Sequence, residues 1–234
     1  MELLFIGLFL CIAVGGILLA LYMDKKRREA WQAVAESMGF SFTPKDKAFH
    51  EGRSFRIFTK GSGRQGKNIL AGEAQGVRLC MADYQYTTGS GNNSSTHRQT
   101  VCIVENPELA LPRFALAPEI KLPGFLSNLL ASFGALDHDI DFEDDPEFSE
   151  AFHLSGDDEE AVRALFTPEL RRYFVEHHAP VATRGYGKQG GLTVEGDGDA
   201  LLLHTGLRLK PEECEGLMAQ AFEVMNALRP AGNA

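Results

Sequence analysis

Residues 3–23 are apolar without interruption, LLFIGLFLCIAVGGILLALYM, and Asp24-Lys25-Lys26-Arg27-Arg28 follows at once. A helix rises about 1.5 Å per residue, so the run is roughly 30 Å long, the thickness of a bilayer core. The pattern then changes period. Trp31, Val34, Ala35 and Met38 recur at i, i+3, i+4 and i+7, one apolar stripe along a polar helix. Gly39 stops it. These patterns predict a transmembrane anchor over 1–23 and a basic amphipathic juxtamembrane helix over 24–39. Packing into the following domain is the first expectation for Trp31, the only tryptophan, with a place at the membrane interface as the alternative.

From residue 40 to 117 the period is that of strands. Candidate strands are 55–60, 68–74, 77–87, 97–105 and 114–117, separated by Gly61-Ser62-Gly63, by Gly76 and by the polar stretch 88–95. Short sequential strands with turns between them predict an antiparallel meander. Residues 122–133 read as a short helix, 137–145 as an acidic connector and 151–154 as another strand. Residues 157–178 read as helix, broken near Thr167-Pro168, where Thr and Pro suit a helix cap and first turn. Strands at 181–184, 192–195 and 200–207 follow. Lys210-Pro211-Glu212-Glu213 opens a last helix with Leu217, Ala221, Val224, Met225 and Leu228 on one face. The expected class is α+β: a single N-terminal transmembrane helix, then a mostly antiparallel sheet with flanking helices and a C-terminal helix.

The start Met1-Glu2 carries no basic residue, and Leu21-Tyr22-Met23-Asp24 offers no small-residue cleavage site. A retained anchor is therefore expected rather than a cleaved signal peptide. Basic residues only on the C-terminal side of the run place the N-terminus outside and residues 24–234 in the cytoplasm, at the inner membrane. Lys25, Lys26, Arg27 and Arg28 are the candidate contacts to anionic headgroups. Residues 40–234 form the cytoplasmic domain. Two similar halves, about 40–150 and 151–234, are suggested by the likeness of 59–66 to 183–190; chance similarity of glycine-rich turns explains it equally well.

The formal charge of −9 sits against nucleic-acid binding. The cysteines are Cys11, Cys80, Cys102 and Cys214; without a C-x-x-C they read as reduced thiols.

Candidate chemistry is thin. Residues 61–68 come close to the phosphate loop G-x-x-x-x-G-K-[ST], but Asn68 stands where the magnesium-binding hydroxyl belongs, and strand follows instead of helix. A hairpin loop is expected there. Asp137, Asp139 and Asp141 alternate like the start of a calcium loop, but its sixth and twelfth places hold Phe142 and Phe148. His177 and His178 are adjacent, and on a helix neighbours do not share a face. His97, His153 and His204 lie on candidate strands. No G-x-S-x-G elbow is present. Neither a catalytic residue, a cofactor nor a metal site is predicted.

Trp31 with Ala35 and Gly39, Asn68 with Gly72, Asp83-Tyr84-Gln85-Tyr86, Gln99-Thr100-Val101, residues 111–119, Asp139-Ile140-Asp141-Phe142, residues 148–156 and residues 162–166 give the chain its likeness. It resembles an uncharacterised bacterial family of single-pass, membrane-anchored proteins. That resemblance implies a bacterial membrane protein and brings no activity or site. The expected function is interaction: a membrane-anchored accessory or scaffold domain that contacts other membrane proteins, as a subunit of a larger complex, with homo-oligomers left open. Candidate partner surfaces are Tyr84, Tyr86, Asn92, Asn93, Asp139 and Asp141. The alternative is a membrane-tethered enzyme or small-ligand binder, with a pocket drawing on His97, Asp83 or Asp141.

Overall fold

Strands that alternate apolar residues on both faces need cover on both sides, and the chain supplies it. A computed structural model describes residues 2–74, 76–119, 138–178 and 191–229. Eight strands, β1 (Ser41–Asp46), β2 (Ser62–Ala74), β3 (Val77–Thr88), β4 (Ser95–Glu105), β5 (Leu111–Pro118), β6 (Phe152–Gly156), β7 (Thr193–Gly198) and β8 (Ala200–His204), join in one sheet. Its order is β1-β2-β3-β4-β8-β7-β5-β6, and every pairing is antiparallel. Of the meander expected over 40–117, β2, β3 and β4 follow in order as read; β1 is not among the expected strands, and β5 pairs with β6 and β7 instead of continuing from β4. The β4–β8 ladder then ties the front of the chain to its end.

Helices cover one face: α1 (Glu2–Met38), α2 (Pro146–Ala151), α3 (Glu159–Leu165), α4 (Pro168–His178) and α5 (Cys214–Leu228). Val77, Leu79 and Met81 of β3, Cys102 and Val104 of β4, and Leu201 and Leu203 of β8 point into this layer. They meet Trp31 and Ala35 of α1 and Leu217, Ala221 and Val224 of α5. Phenylalanines in mutual contact fill the far end: Phe114–Phe166 edge-on at 5.2 Å, Phe148–Phe152 tilted at 5.4 Å and Phe166–Phe174 stacked at 6.0 Å between ring centres. Such aromatic pairs add about 0.5–1.5 kcal/mol each beyond the area they bury.

Residues 47–60 strap the other face. Phe49, Phe55, Ile57 and Phe58 pack there on Ile69, Ala82, Tyr84, Val101, Ile103 and Leu202. This corrects the strand expected at 55–60. Residues Arg56–Thr59 form a 3-10 turn, and the Glu195 carboxylate from β7 accepts the N–H groups of Arg56 and Ile57. The true edge strand, β1, is mostly exposed and so shows no burial pattern. The loop expected at 61–68 is strand as well: β2 starts at Ser62 and its register slips between Lys67 and Leu70. Asn68 takes φ +49° at that bulge, a left-handed backbone that Asn tolerates better than most residues. The strand expected at 151–154 is β6, and the chain breaks between α3 and α4 as read. The helix expected at 122–133, the strand at 181–184 and the second glycine-rich stretch at 183–190 lie outside the described residues.

α1 runs without a break from the apolar run into the domain. Its described apolar side chains, Phe5 and those from Phe9 to Met23, are exposed on every side. Among the described residues no helix is long and apolar enough to cross a membrane.

Candidate functional site

A carboxylate on the helix-facing side of β3 must find partners, because positions 77, 79 and 81 before it are core. Asp83 is 5% exposed. It receives both arms of the Arg27 guanidinium, Nε to Oδ2 and Nη2 to Oδ1, at 2.7 Å each. Asn68 Nδ2 donates at 2.8 Å and Thr100 Oγ1 at 3.2 Å, and Arg208 Nε adds a longer contact at 3.4 Å. Arg27 also donates to the Leu209 carbonyl at 2.6 Å and lies over the Trp31 ring at 5.5 Å. Planar, two-pronged pairing of this kind fixes orientation as well as distance. The Asn68 bulge aims its amide at the same carboxylate. The result clamps α1, the sheet and the segment leading into α5 to one point.

Arg27 is thus drawn away from the headgroup role expected for it, while Lys25, Lys26 and Arg28 remain exposed. Tyr84 is likewise no partner surface. It is buried, edge-on to Phe58 at 4.8 Å, and burial pushes its phenol up to about 12. Tyr86 is half-buried and stacks on His97 at 4.8 Å. Asn92 and Asn93 are exposed in the 3-10 turn Gly91–Asn93. Asp141 is exposed, and its carbonyl accepts from Arg163. Asp139 is half-buried beside β6. His97, Asp83 and Asp141 do not converge: Asp83 sits in the clamp, His97 on the hairpin beside Tyr86, and Asp141 beyond β6.

The acidic connector has a structural use. Asp144 and Asp145 hold the buried Arg171 at 2.8 and 2.9 Å. Asp145 also caps α2 by accepting from Phe148 N, and Arg171 lies 4.1 Å above the Phe142 ring.

On the strapped face the buried Glu195 accepts the backbone N–H groups of Arg56 and Ile57. Arg56 reaches Ser155 at 2.7 Å, and Arg113 donates to the Ser54 carbonyl at 2.7 Å. Beside the strap an open groove of about 490 Å³ is lined by Arg53, Glu73, Arg78, Cys80 and Glu105 among others. Burial raises the Cys80 thiol to about 11 and Cys214 to about 12, and lifts Cys102 as well. An activated thiol nucleophile needs the opposite shift.

His204, at the end of β8, accepts the Gly206 N–H on Nδ1 at 3.1 Å, which fixes the neutral ring. Burial, with the nearby Lys60 charge adding to it, lowers its pKa from 6.5 to about 3. The native state therefore disfavours the cation. Its contribution is complete above pH 6.5 and is lost as pH falls toward 3. At pH 5 the loss approaches about 2 kcal/mol for a group with an unfolded value near 6.5. Urea unfolding at pH 7.5 and pH 5 should show wild-type stability falling more than that of His204→Gln. Glu195, whose pKa burial raises, has the opposite dependence and is common to both proteins. Equal slopes would show that His204 is not held neutral.

Sequence reasoning missed Asn68, Thr100 and Arg208 as partners of Asp83. The signal was present in Asp83 itself, one carboxylate in register with three core positions.

No protein-family pattern and no curated protein sequence matches the chain. The fold is similar to a solved structure, the mycobacterial trehalose monomycolate transport factor A, TtfA. The TM-score is 0.54 at 12% identity, over 90% of this chain and 98% of that one. At that identity the likeness is one of fold.

Proposed function

We propose that this chain is a single-pass, membrane-tethered accessory protein that acts by contact with other membrane proteins, in the manner of a transport-associated subunit. The observation that carries this reading is α1. Residues 3–23 are apolar on every helical face, and the described ones are exposed. A helix apolar all round requires an apolar surrounding, either protein or lipid, and the sequence run 3–23, counted with the residues whose side chains lie outside the described set, is as long as a bilayer core is thick. The basic residues that follow favour a cytoplasmic domain. The fold likeness to a transport factor supports an accessory role.

The test is gentle extraction of the native protein from its own membranes. It should remain with the membrane after a high-pH wash and migrate with defined membrane proteins at a fixed ratio. Release by the wash would refute the anchor. A lone monomer or homo-oligomer would refute the subunit reading and redirect attention to ligands.

A further inference from the structure

β6 lies between two neighbours: β5 on one side and the short stretch 139–140 on the other. The ladder with β5 sets Ala117 opposite His153 and continues through the Glu119 N–H to the Ala151 carbonyl at 2.9 Å. On the other side Ile140 N donates to the Leu154 carbonyl at 2.7 Å. Side chains alternate across a strand. Phe152, Leu154 and Ile140 point into the helix-covered core, so His153 and Asp139 point the other way, and Glu119, two residues on from Ala117, joins them. One imidazole nitrogen and two carboxylate oxygens from three adjacent extended segments come within 4.8 Å of one another, all half-buried.

From this geometry we propose that Glu119, Asp139 and His153 bind one divalent transition-metal ion of the zinc type. His153 Nδ1 and Asp139 Oδ2 are 3.2 Å apart. That is close to the roughly 3.3 Å edge of a tetrahedron built from metal–ligand bonds of about 2.0–2.1 Å. The other Asp139 oxygen accepts the Leu154 N–H at 3.0 Å, which orients the carboxylate from behind as second partners of metal ligands do. Two carboxylates this close repel one another, and a dication between them would offset both charges. Mixed nitrogen and oxygen donors suit zinc, cobalt or manganese over calcium or magnesium. Three protein ligands leave a coordination position for water or for an incoming group. This site is independent of the membrane-accessory reading.

The experiment uses the full chain in detergent, stripped of metal by chelation, and titrated with Zn²⁺ by calorimetry. One equivalent should bind, and Asp139→Asn, Glu119→Gln and His153→Ala should each weaken binding at least tenfold. His177→Ala, in an adjacent histidine pair elsewhere, should leave it unchanged. Should a cluster variant fail to fold, the wild type still decides: Mn²⁺ at low occupancy should broaden the His153 ring signals in NMR and spare those of His97 and His204. Absence of a saturable equivalent, binding indifferent to the three substitutions, or broadening centred elsewhere would each overturn the proposal and leave an Asp139–His153 ion pair.

Discussion

Replacing Asp83 with Asn should cost about 3 kcal/mol of folding free energy, because it leaves the Arg27 guanidinium in a mostly enclosed place without its counter-charge. The Arg27 and Asp83 side chains are 16% and 6% exposed, so the pair is far from the surface class whose members contribute about 0–1 kcal/mol. Arg27→Met should cost less, since Asp83 then keeps Asn68, Thr100 and Arg208. The double variant Arg27→Met/Asp83→Asn should be less damaged than the two single losses added together, by a coupling of about 1–3 kcal/mol. Urea unfolding in micelles, followed by Trp31 fluorescence one turn along the same helix, reads all three. A loss below about 1 kcal/mol for Asp83→Asn would mean that the clamp is ornamental and that α1 is held by its apolar stripe alone.

That stripe gives the other large effect. Trp31→Ala should destabilise the domain by about 3–5 kcal/mol, the usual cost of emptying a large aromatic site. Trp31 has no exposed surface and joins the core formed by β2, β3, β4 and α5. Trp31→Phe should cost far less, near 1–2 kcal/mol, since the buried indole N–H has no hydrogen-bond partner among the described residues and its removal strands nothing. Denaturation midpoints, with limited proteolysis between residues 24 and 40, would check both. Equal costs for Ala and Phe would point to a role for the indole nitrogen that the geometry does not show.

The parts of the fold legible in the sequence were those with a strong local period. The meander over 77–105, the break at Thr167-Pro168 and the helix carrying Leu217 to Leu228 all follow from alternation, capping and stripe. What escaped was set at long range. Arg56–Thr59 takes its 3-10 turn because Glu195 holds its first N–H groups, and no property of residues 55–60 announces a partner so far along the chain. β1 is an exposed edge strand, so its own residues carry little burial signal. The β4–β8 ladder that closes the sheet is invisible to any window. The candidate contacts divided for the same reason. Asn92 and Asn93 were readable as an exposed turn. Tyr84, alternating with Tyr86, could be read as core or as partner-facing, and only the strap over β3 decides for core. Glu119, Asp139 and His153 become neighbours only once the β5–β6 register is known.

The Arg27 grip has a consequence for reach. It falls four residues beyond Met23, about 6 Å of helix, with no loop between. A domain on a flexible leash sweeps a volume that grows with the leash; one on a rigid stalk this short does not. With α1 anchored as proposed, the sheet can swivel about the membrane normal and drift sideways, but it cannot rise. On that proposal a partner would have to offer its matching surface inside the same shallow slab beside the bilayer, and proteins whose domains begin farther from the membrane would lie out of range however complementary they are.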